Sequence, residues 1–181
     1  MTETHAGARL GRYRLVQRVG EGGMGVVHLA LDDVGRAVAV KVLKPHVAGD
    51  PDARRRLARE VDTLRRVRHP RVAAVLDADT AGATPFVVTQ YVPAPPLDAH
   101  VAAHGPLGRR ALADLGDGLG EALAAIHAAG VVHRDLKPGN VLMLDGAPVV
   151  IDFGIAHVAD DVRLTSTGLV MGTPGYLSPE V

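Results

Sequence analysis

Gly20-Glu21-Gly22-Gly23-Met24-Gly25 has the spacing G-x-G-x-x-G. Such a run can be a plain turn. It can also be a loop whose backbone N–H groups cradle phosphates, where a Cβ would hold the chain away from the phosphate oxygens. The residues that follow decide which nucleotide chemistry applies. A dinucleotide-binding fold opens a helix at the last glycine, whereas Val26-Val27-His28-Leu29-Ala30 reads as a strand. No Gly-Lys-Ser/Thr follows, so the run is not a Walker A loop. Two charges then stand in apolar surroundings. Lys41 ends the run Ala37-Val38-Ala39-Val40, and Glu60 falls inside the helical arc of Leu57, Val61, Leu64 and Val67. Each could be a rim residue that rests its stem on apolar surface. The sharper reading pairs them, because a buried charge without a partner is costly. The pair would direct the ammonium onto nucleotide phosphates.

The segment His133-Arg134-Asp135-Leu136-Lys137-Pro138-Gly139-Asn140 is more specific, and Asp152-Phe153-Gly154 follows it. Near the end stands Gly172-Thr173-Pro174-Gly175-Tyr176-Leu177-Ser178-Pro179-Glu180. In order and interval these motifs resemble the protein kinases, with the catalytic loop H-R-D-x-K-x-x-N, the magnesium-binding triplet and the close of a Ser/Thr-kinase activation loop. The match runs from about Leu10 to Val181, and it is most similar to the bacterial Ser/Thr kinases common in actinobacteria.

The resemblance implies a set of roles. Asp135 would orient the substrate hydroxyl and accept its proton, and Lys137 would offset charge on the transferring phosphate. Asn140 and Asp152 would ligate Mg²⁺, and Lys41, directed by Glu60, would hold the α/β-phosphates of ATP. The loop residues Gly20, Glu21, Gly22, Gly23, Met24 and Gly25 would cover those phosphates. Val27, Ala39 and Leu142 would sandwich the adenine, with Thr89 at the back of its pocket and Gln90, Tyr91 and Val92 offering backbone to its edge. Leu64, Val75, His133 and Phe153 would align as an apolar stack. Arg134 implies control by phosphorylation, with Thr165 and Thr167 as sites of self-phosphorylation. Thr173 and Lys137 favour Ser/Thr over Tyr in protein substrates. An aminoglycoside-type small-molecule phosphotransferase shares H-x-D-x-x-x-x-N, but Arg134, Lys137 and the 172–180 segment argue against it. A regulatory pseudokinase is the non-enzyme alternative, although every catalytic position is intact.

The elements that must position these residues are readable in outline. Tyr13 to Val19, Val26 to Asp32 and Ala37 to Leu43 are short Val-rich runs between turn residues, which predicts an antiparallel meander. Asp50-Pro51 opens a helix, Asp as N-cap and Pro in the first position, and His69-Pro70 closes the segment. Val72 to Leu76 and Phe86 to Val92 read as further strands. Pro93, Pro95 and Pro96 cannot continue a sheet and mark a boundary between lobes. Leu112, Leu115, Leu119, Leu123 and Ile126 predict a helix at roughly 109–129, against the weak propensity of Gly116, Gly118 and Gly120. Short strands are expected at Val141 to Leu144 and Val149 to Ile151. The fold class is therefore α+β and two-lobed: a tail at 1–9, a β-rich lobe with one helix at 10–92, a linker at 93–97 and an incomplete helical lobe at 98–181.

Composition sets the remaining bounds. The 181 residues carry 20 Lys plus Arg against 20 Asp plus Glu, so charge favours neither nucleic acid nor membrane. The absence of Cys excludes a disulfide scaffold and a thiolate nucleophile. No secretory signal and no apolar run of about 20 residues is present, so the expected compartment is the cytoplasm. A domain of the resembled family continues past Pro179-Glu180. The Leu face of the 109–129 helix is therefore expected to lie exposed, and phosphotransfer by this chain to be weak.

Overall fold

The computed structural model describes residues 7–22, 25–153 and 175–176. The elements in order are β1 (Arg9–Leu10), β2 (Tyr13–Glu21), β3 (Gly25–Leu31), β4 (Ala37–Leu43), α1 (Pro45–Ala48), α2 (Pro51–Leu64), β5 (Val75–Asp79) and β6 (Phe86–Gln90). There follow α3 (Leu97–His104), α4 (Arg109–Ala128), a 3-10 turn at Pro138–Asn140, β7 (Val141–Leu144) and β8 (Ala147–Val150). Contacts divide the chain into two compact units, Met1–Val61 with Val75–Tyr91, and Asp62–Ala74 with Val92–Val181.

The first unit is built on a six-stranded antiparallel sheet in the order β1-β2-β3-β4-β6-β5. Alternation along the strands sends Tyr13, Leu15, Ala30, Val38, Val40, Phe86 and Val88 to one face, where they form a buried cluster. Tyr13 meets Phe86 edge to face at 5.9 Å between ring centres. The β3–β4 turn is set by Asp32, whose Oδ1 accepts from the backbone of Val34 at 3.0 Å and Arg36 at 2.8 Å. Helix α2 starts as its sequence dictates: Asp50 Oδ1 accepts from Asp52 N at 2.8 Å, satisfying one orphan amide of the first turn. Ala53, Leu57, Val61 and Leu64 recur at helical spacing and are all buried. Burial of each leucine contributes roughly 1.5–3 kcal/mol.

The second unit packs α4 against the β7–β8 hairpin. Asp145-Gly146, with φ of 50° and 80°, makes the tight turn, the conformation that an Asp-Gly hairpin favours. Leu115, Val141 and Met143 form a core with Leu97, Leu107, Leu119 and Leu136 around it. A second cluster joins Ala73, Val92 and Val149 to Ala94, Leu142, Leu144 and Ile151. The α4 chain ends at Gly130, whose φ of 77° lets Val131 N turn back onto Ile126 O. No helix among the described residues is long and apolar enough to cross a membrane.

Five expectations need correction. The run Val72 to Leu76 is not one strand. Val72 bridges Val150, and Ala73 N donates to Val150 O at 2.9 Å, while the strand proper is Val75–Asp79 beside β6. Strand β6 stops at Gln90 rather than Val92, and the second hairpin strand is Ala147–Val150 rather than 149–151. Helix α3 forms where the sequence predicts only a linker and the start of a lobe. The α4 leucines are largely covered: Leu115 is buried, Leu119 and Leu123 are half-buried, and Leu112 is exposed.

Candidate active site

The first unit gathers its candidates by strand register. Gly20 pairs with Val27, Val27 with Lys41, and Lys41 with Val87. Ala39 pairs with Leu29 and with Thr89. Paired residues in an antiparallel sheet share a face, and so do residues two apart. Val27, Ala39, Lys41 and Thr89 therefore lie on one face, opposite the cluster of Tyr13, Val38, Val40 and Phe86. Gln90, paired with Val38, belongs to the other face and is exposed. Lys41 is half-buried on β4, and Glu60 is half-buried on α2 between the buried Leu57 and Val61.

The glycines of the loop differ in what they are for. A Cβ on Gly25 would overlap the carbonyl oxygen of Val42, so this glycine is demanded by the close approach of β3 and β4. Gly20 and Gly22 have nothing within 4 Å of a built Cβ, which leaves open space against the backbone there. Gly22 N donates to Gly25 O at 2.9 Å across the loop base. Glu21 is held by Lys44 Nζ at 2.8 Å and by Arg18, and these cations keep its carboxyl below the usual range. Gly23 and Met24 lie outside the described residues.

In the second unit the loop 133–140 folds around Asp135. Lys137 Nζ lies 2.8 Å from Asp135 Oδ2, and Asn140 Nδ2 donates to Asp135 O at 2.7 Å and Oδ2 at 3.2 Å. Asn140 is buried and commits its amide hydrogens to Asp135, so its Oδ1 is the acceptor left to face a ligand. Ile151 N donates to Asn140 O at 3.0 Å, and His133 Nε2 donates to Ile151 O at 3.1 Å. His133 Nδ1 in turn accepts from Asp135 N at 3.3 Å. A carbonyl can only accept and an amide N–H can only donate, so the ring is the neutral Nε2–H tautomer. Burial agrees, pushing the His133 pKa below its ordinary value, while the bond to Ile151 O opposes that shift.

Asp152 follows Ile151 directly and has φ of 56°, and Arg134 has φ of 64°. Non-glycine residues in this region are uncommon, and such backbone persists where surrounding structure enforces it. The loop and the segment leading to Asp152 are thus joined through Ile151, which no side-chain motif could reveal because its backbone does the work. Asn140 Oδ1 and the Asp152 carboxylate are hard oxygen donors. The described residues contain no group of three or more His, Cys, Asp or Glu suited to a metal. Two oxygen donors of this kind, completed by phosphate and water, would suit Mg²⁺ rather than a metal held by protein alone.

Leu142 is half-buried on β7 and packs with Ala73, Val92 and Val149. Val92 is buried, and its carbonyl accepts from Ala94 N at 2.9 Å. Leu64, Val75, His133 and Phe153 are each buried to 2 % exposure or less. Thr165, Thr167 and Thr173 lie outside the described residues, as does the 172–180 segment apart from Gly175 and Tyr176.

Sheet, helix, catalytic-type loop and Asp-Phe sequence together define a protein kinase domain. The profile of the protein kinase domain matches residues 13–181, and the chain belongs to that family. It is similar to the serine/threonine-protein kinase AfsK of Streptomyces coelicolor, 47% identical over 176 residues, covering 97% of this chain and 22% of that kinase. It is also similar to the serine/threonine-protein kinase PknA of Mycobacterium tuberculosis, 42% identical over 177 residues, covering 94% of this chain and 41% of the relative. Among solved structures, the Mycobacterium tuberculosis PknI kinase domain superposes with a TM-score of 0.72 at 31% identity, covering 84% of this chain and 62% of that one. The chain thus spans well under half the length of these two curated relatives.

Proposed function

We propose that this protein transfers the γ-phosphate of ATP to Ser and Thr hydroxyls of proteins. The observation that carries the reading is the constellation of Asp135, Lys137 and Asn140, with Lys137 Nζ 2.8 Å from the carboxylate that Asn140 also engages. Asp135 orients the incoming hydroxyl and takes its proton as the hydroxyl oxygen bonds to the γ-phosphorus and the bond from that phosphorus to the β,γ-bridging oxygen breaks, with ADP as the leaving group. General-base assistance of this kind is worth about 10²–10⁴-fold. Lys137 offsets charge on the transferring group, which carries most of the demand in a loose transition state. Asn140 and Asp152 hold Mg²⁺, which neutralises charge on the phosphate oxygens when bound. Lys41 holds the α/β-phosphates and Glu60 fixes its direction. The backbone at Gly20, Glu21, Gly22, Gly23, Met24 and Gly25 closes over the phosphates. Val27, Ala39, Thr89 and Leu142 line the adenine site, with Gln90 and Val92 supplying backbone to its edge.

The relatives named as serine/threonine kinases support the choice of substrate, as do Lys137 and Thr173. Thr165 and Thr167 receive phosphate from the protein itself, and the modified loop pairs with Arg134. The supply of ATP makes the cytoplasm the compartment of the reaction. Labelled ATP with a generic basic protein tests the whole reading, followed by identification of the phosphorylated residue type. Asp135→Asn should keep Mg-ATP affinity within about threefold while transfer falls about 10²-fold or more. Transfer to tyrosine alone, or undiminished transfer by Asp135→Asn, would refute it.

A further inference from the structure

Arg54, in the first turn of α2, donates three hydrogen bonds to backbone carbonyls. Its Nε reaches Ala48 O at 2.6 Å, Nη1 reaches Ala81 O at 3.1 Å, and Nη2 reaches Gly82 O at 2.7 Å. Ala48 closes α1, so its carbonyl is one of the helix-end acceptors that need a partner. Ala81 and Gly82 lie in the β5–β6 turn. That turn is itself shaped: Asp79 Oδ1 accepts from Ala81 N at 3.0 Å and Gly82 N at 2.8 Å. A Cβ on Gly82 would overlap the Asp79 carboxylate, so a larger residue there would force that side chain to move. The turn then leads into β6, where Val87 pairs with Lys41, and Leu43 N donates to Pro85 O at 3.0 Å.

We infer that Arg54 is a positioning residue that ties the helix carrying Glu60 to the backbone frame carrying Lys41. This rests on the reading of Glu60 as the partner that directs Lys41. The continuous path runs from Lys41 across β6 to the β5–β6 turn, through the guanidinium to α2, and along one helix to Glu60. Both ends of the pair are therefore referred to one rigid frame. A planar fork with donors in three directions suits three separate carbonyls, and a lysine ammonium is a compact point charge that does not. Charge-assisted bonds to backbone are about twice as strong as neutral ones, which suits a fixed anchor.

The test is a double-mutant cycle on Mg-ATP affinity, measured by calorimetry on the chain, with unfolding temperature recorded for every variant. Glu60→Gln should weaken Mg-ATP binding fivefold or more. Arg54→Ala and Arg54→Lys should each weaken it to a similar degree. In the Glu60→Gln background Arg54→Ala should change affinity less than twofold, because its effect passes through Glu60. Tyr13→Phe, which removes a sheet hydrogen bond to Asp77, should lower the unfolding temperature without changing affinity. If Arg54→Ala fails to fold, Asp79→Ala carries the test, with the same direction and the same loss of effect beside Glu60→Gln. Unchanged affinity in Glu60→Gln removes the Lys41–Glu60 reading itself. A Glu60→Gln effect with normal affinity in Arg54→Lys, or additive losses in the double variant, overturns the role of Arg54 alone.

Discussion

Replacing the three glycines of α4 one at a time by alanine should give opposite signs at neighbouring positions. Alanine in a helix interior is favoured over glycine by about 0.8–1.0 kcal/mol, through backbone entropy. At Gly116 and Gly120 a built Cβ meets nothing within 4 Å. Gly116→Ala and Gly120→Ala should each gain close to that full amount. Gly118 is buried, and its Cβ would lie 2.6 Å from Pro148 Cγ, 3.0 Å from Pro148 Cδ and 3.2 Å from Arg71 Cζ. The proline ring can change only its pucker, which shifts Cγ a little and leaves the ring in place. Arg71 is held by Glu121 at 2.7 Å through its Nε, so neither neighbour yields easily. Overpacking of this kind costs roughly 1–3 kcal/mol, which offsets or exceeds the propensity gain. Gly118→Ala should therefore be less stable than Gly116→Ala by about 1–3 kcal/mol. That difference is about 2–4 °C in Tm per kcal/mol for a domain of this size. Urea titrations with matched m-values are the assay. Equal stabilisation by all three substitutions would refute the claim that α4 is notched to seat β8.

Three further outcomes follow from the site and the sheet. Asn140→Ala removes the amide that donates to Asp135 O and Oδ2 together with the proposed acceptor for Mg²⁺, so phosphotransfer should fall about 10²-fold or more, read by labelled ATP. For His133, burial lowers the folded pKa, so the unfolded chain binds the extra proton first. Its contribution to stability is complete above the ordinary histidine value of about 6.5 and is lost as pH falls below it. Urea midpoints between pH 5 and 8 should show that acid limb flattened in His133→Gln. Tyr13→Phe deletes the 2.6 Å bond to Asp77 Oδ2 and should cost about 1–2 kcal/mol. An unchanged urea midpoint would contradict that bond's contribution.

The strand Ala37–Leu43 and the start of α2 at Asp50-Pro51 were legible because strict alternation and a capping pair each encode one local answer. Val72 to Leu76 misled because an apolar run carries no register. Val72 and Ala73 bond to Val150 at the end of β8, and only Val75 onward pairs with β6. Helix α3 left no trace because none of its residues is buried, so it has no apolar stripe to read. The α4 glycines lowered helix propensity, and packing against Pro148 overrode it. At the candidate site, the mutual contacts of Asp135, Lys137 and Asn140 fall within one motif that their side-chain types and spacing mark in the sequence. Ile151 is not so marked, since it acts through its backbone N–H and carbonyl. Arg54 was hidden among Arg54-Arg55-Arg56, where spacing alone does not tell an anchor from a solvated charge.

The double link through Ile151 has a kinetic corollary. Because the N–H and the carbonyl of one residue grip both Asn140, which engages Asp135, and His133, the groups before Asp152 are machined as one part. Thermal motion can carry that part as a body, but it has little freedom to detune one tooth against another. A modulator acting on this chain would therefore gain more leverage by changing how reactants are presented to it than by prying its teeth apart.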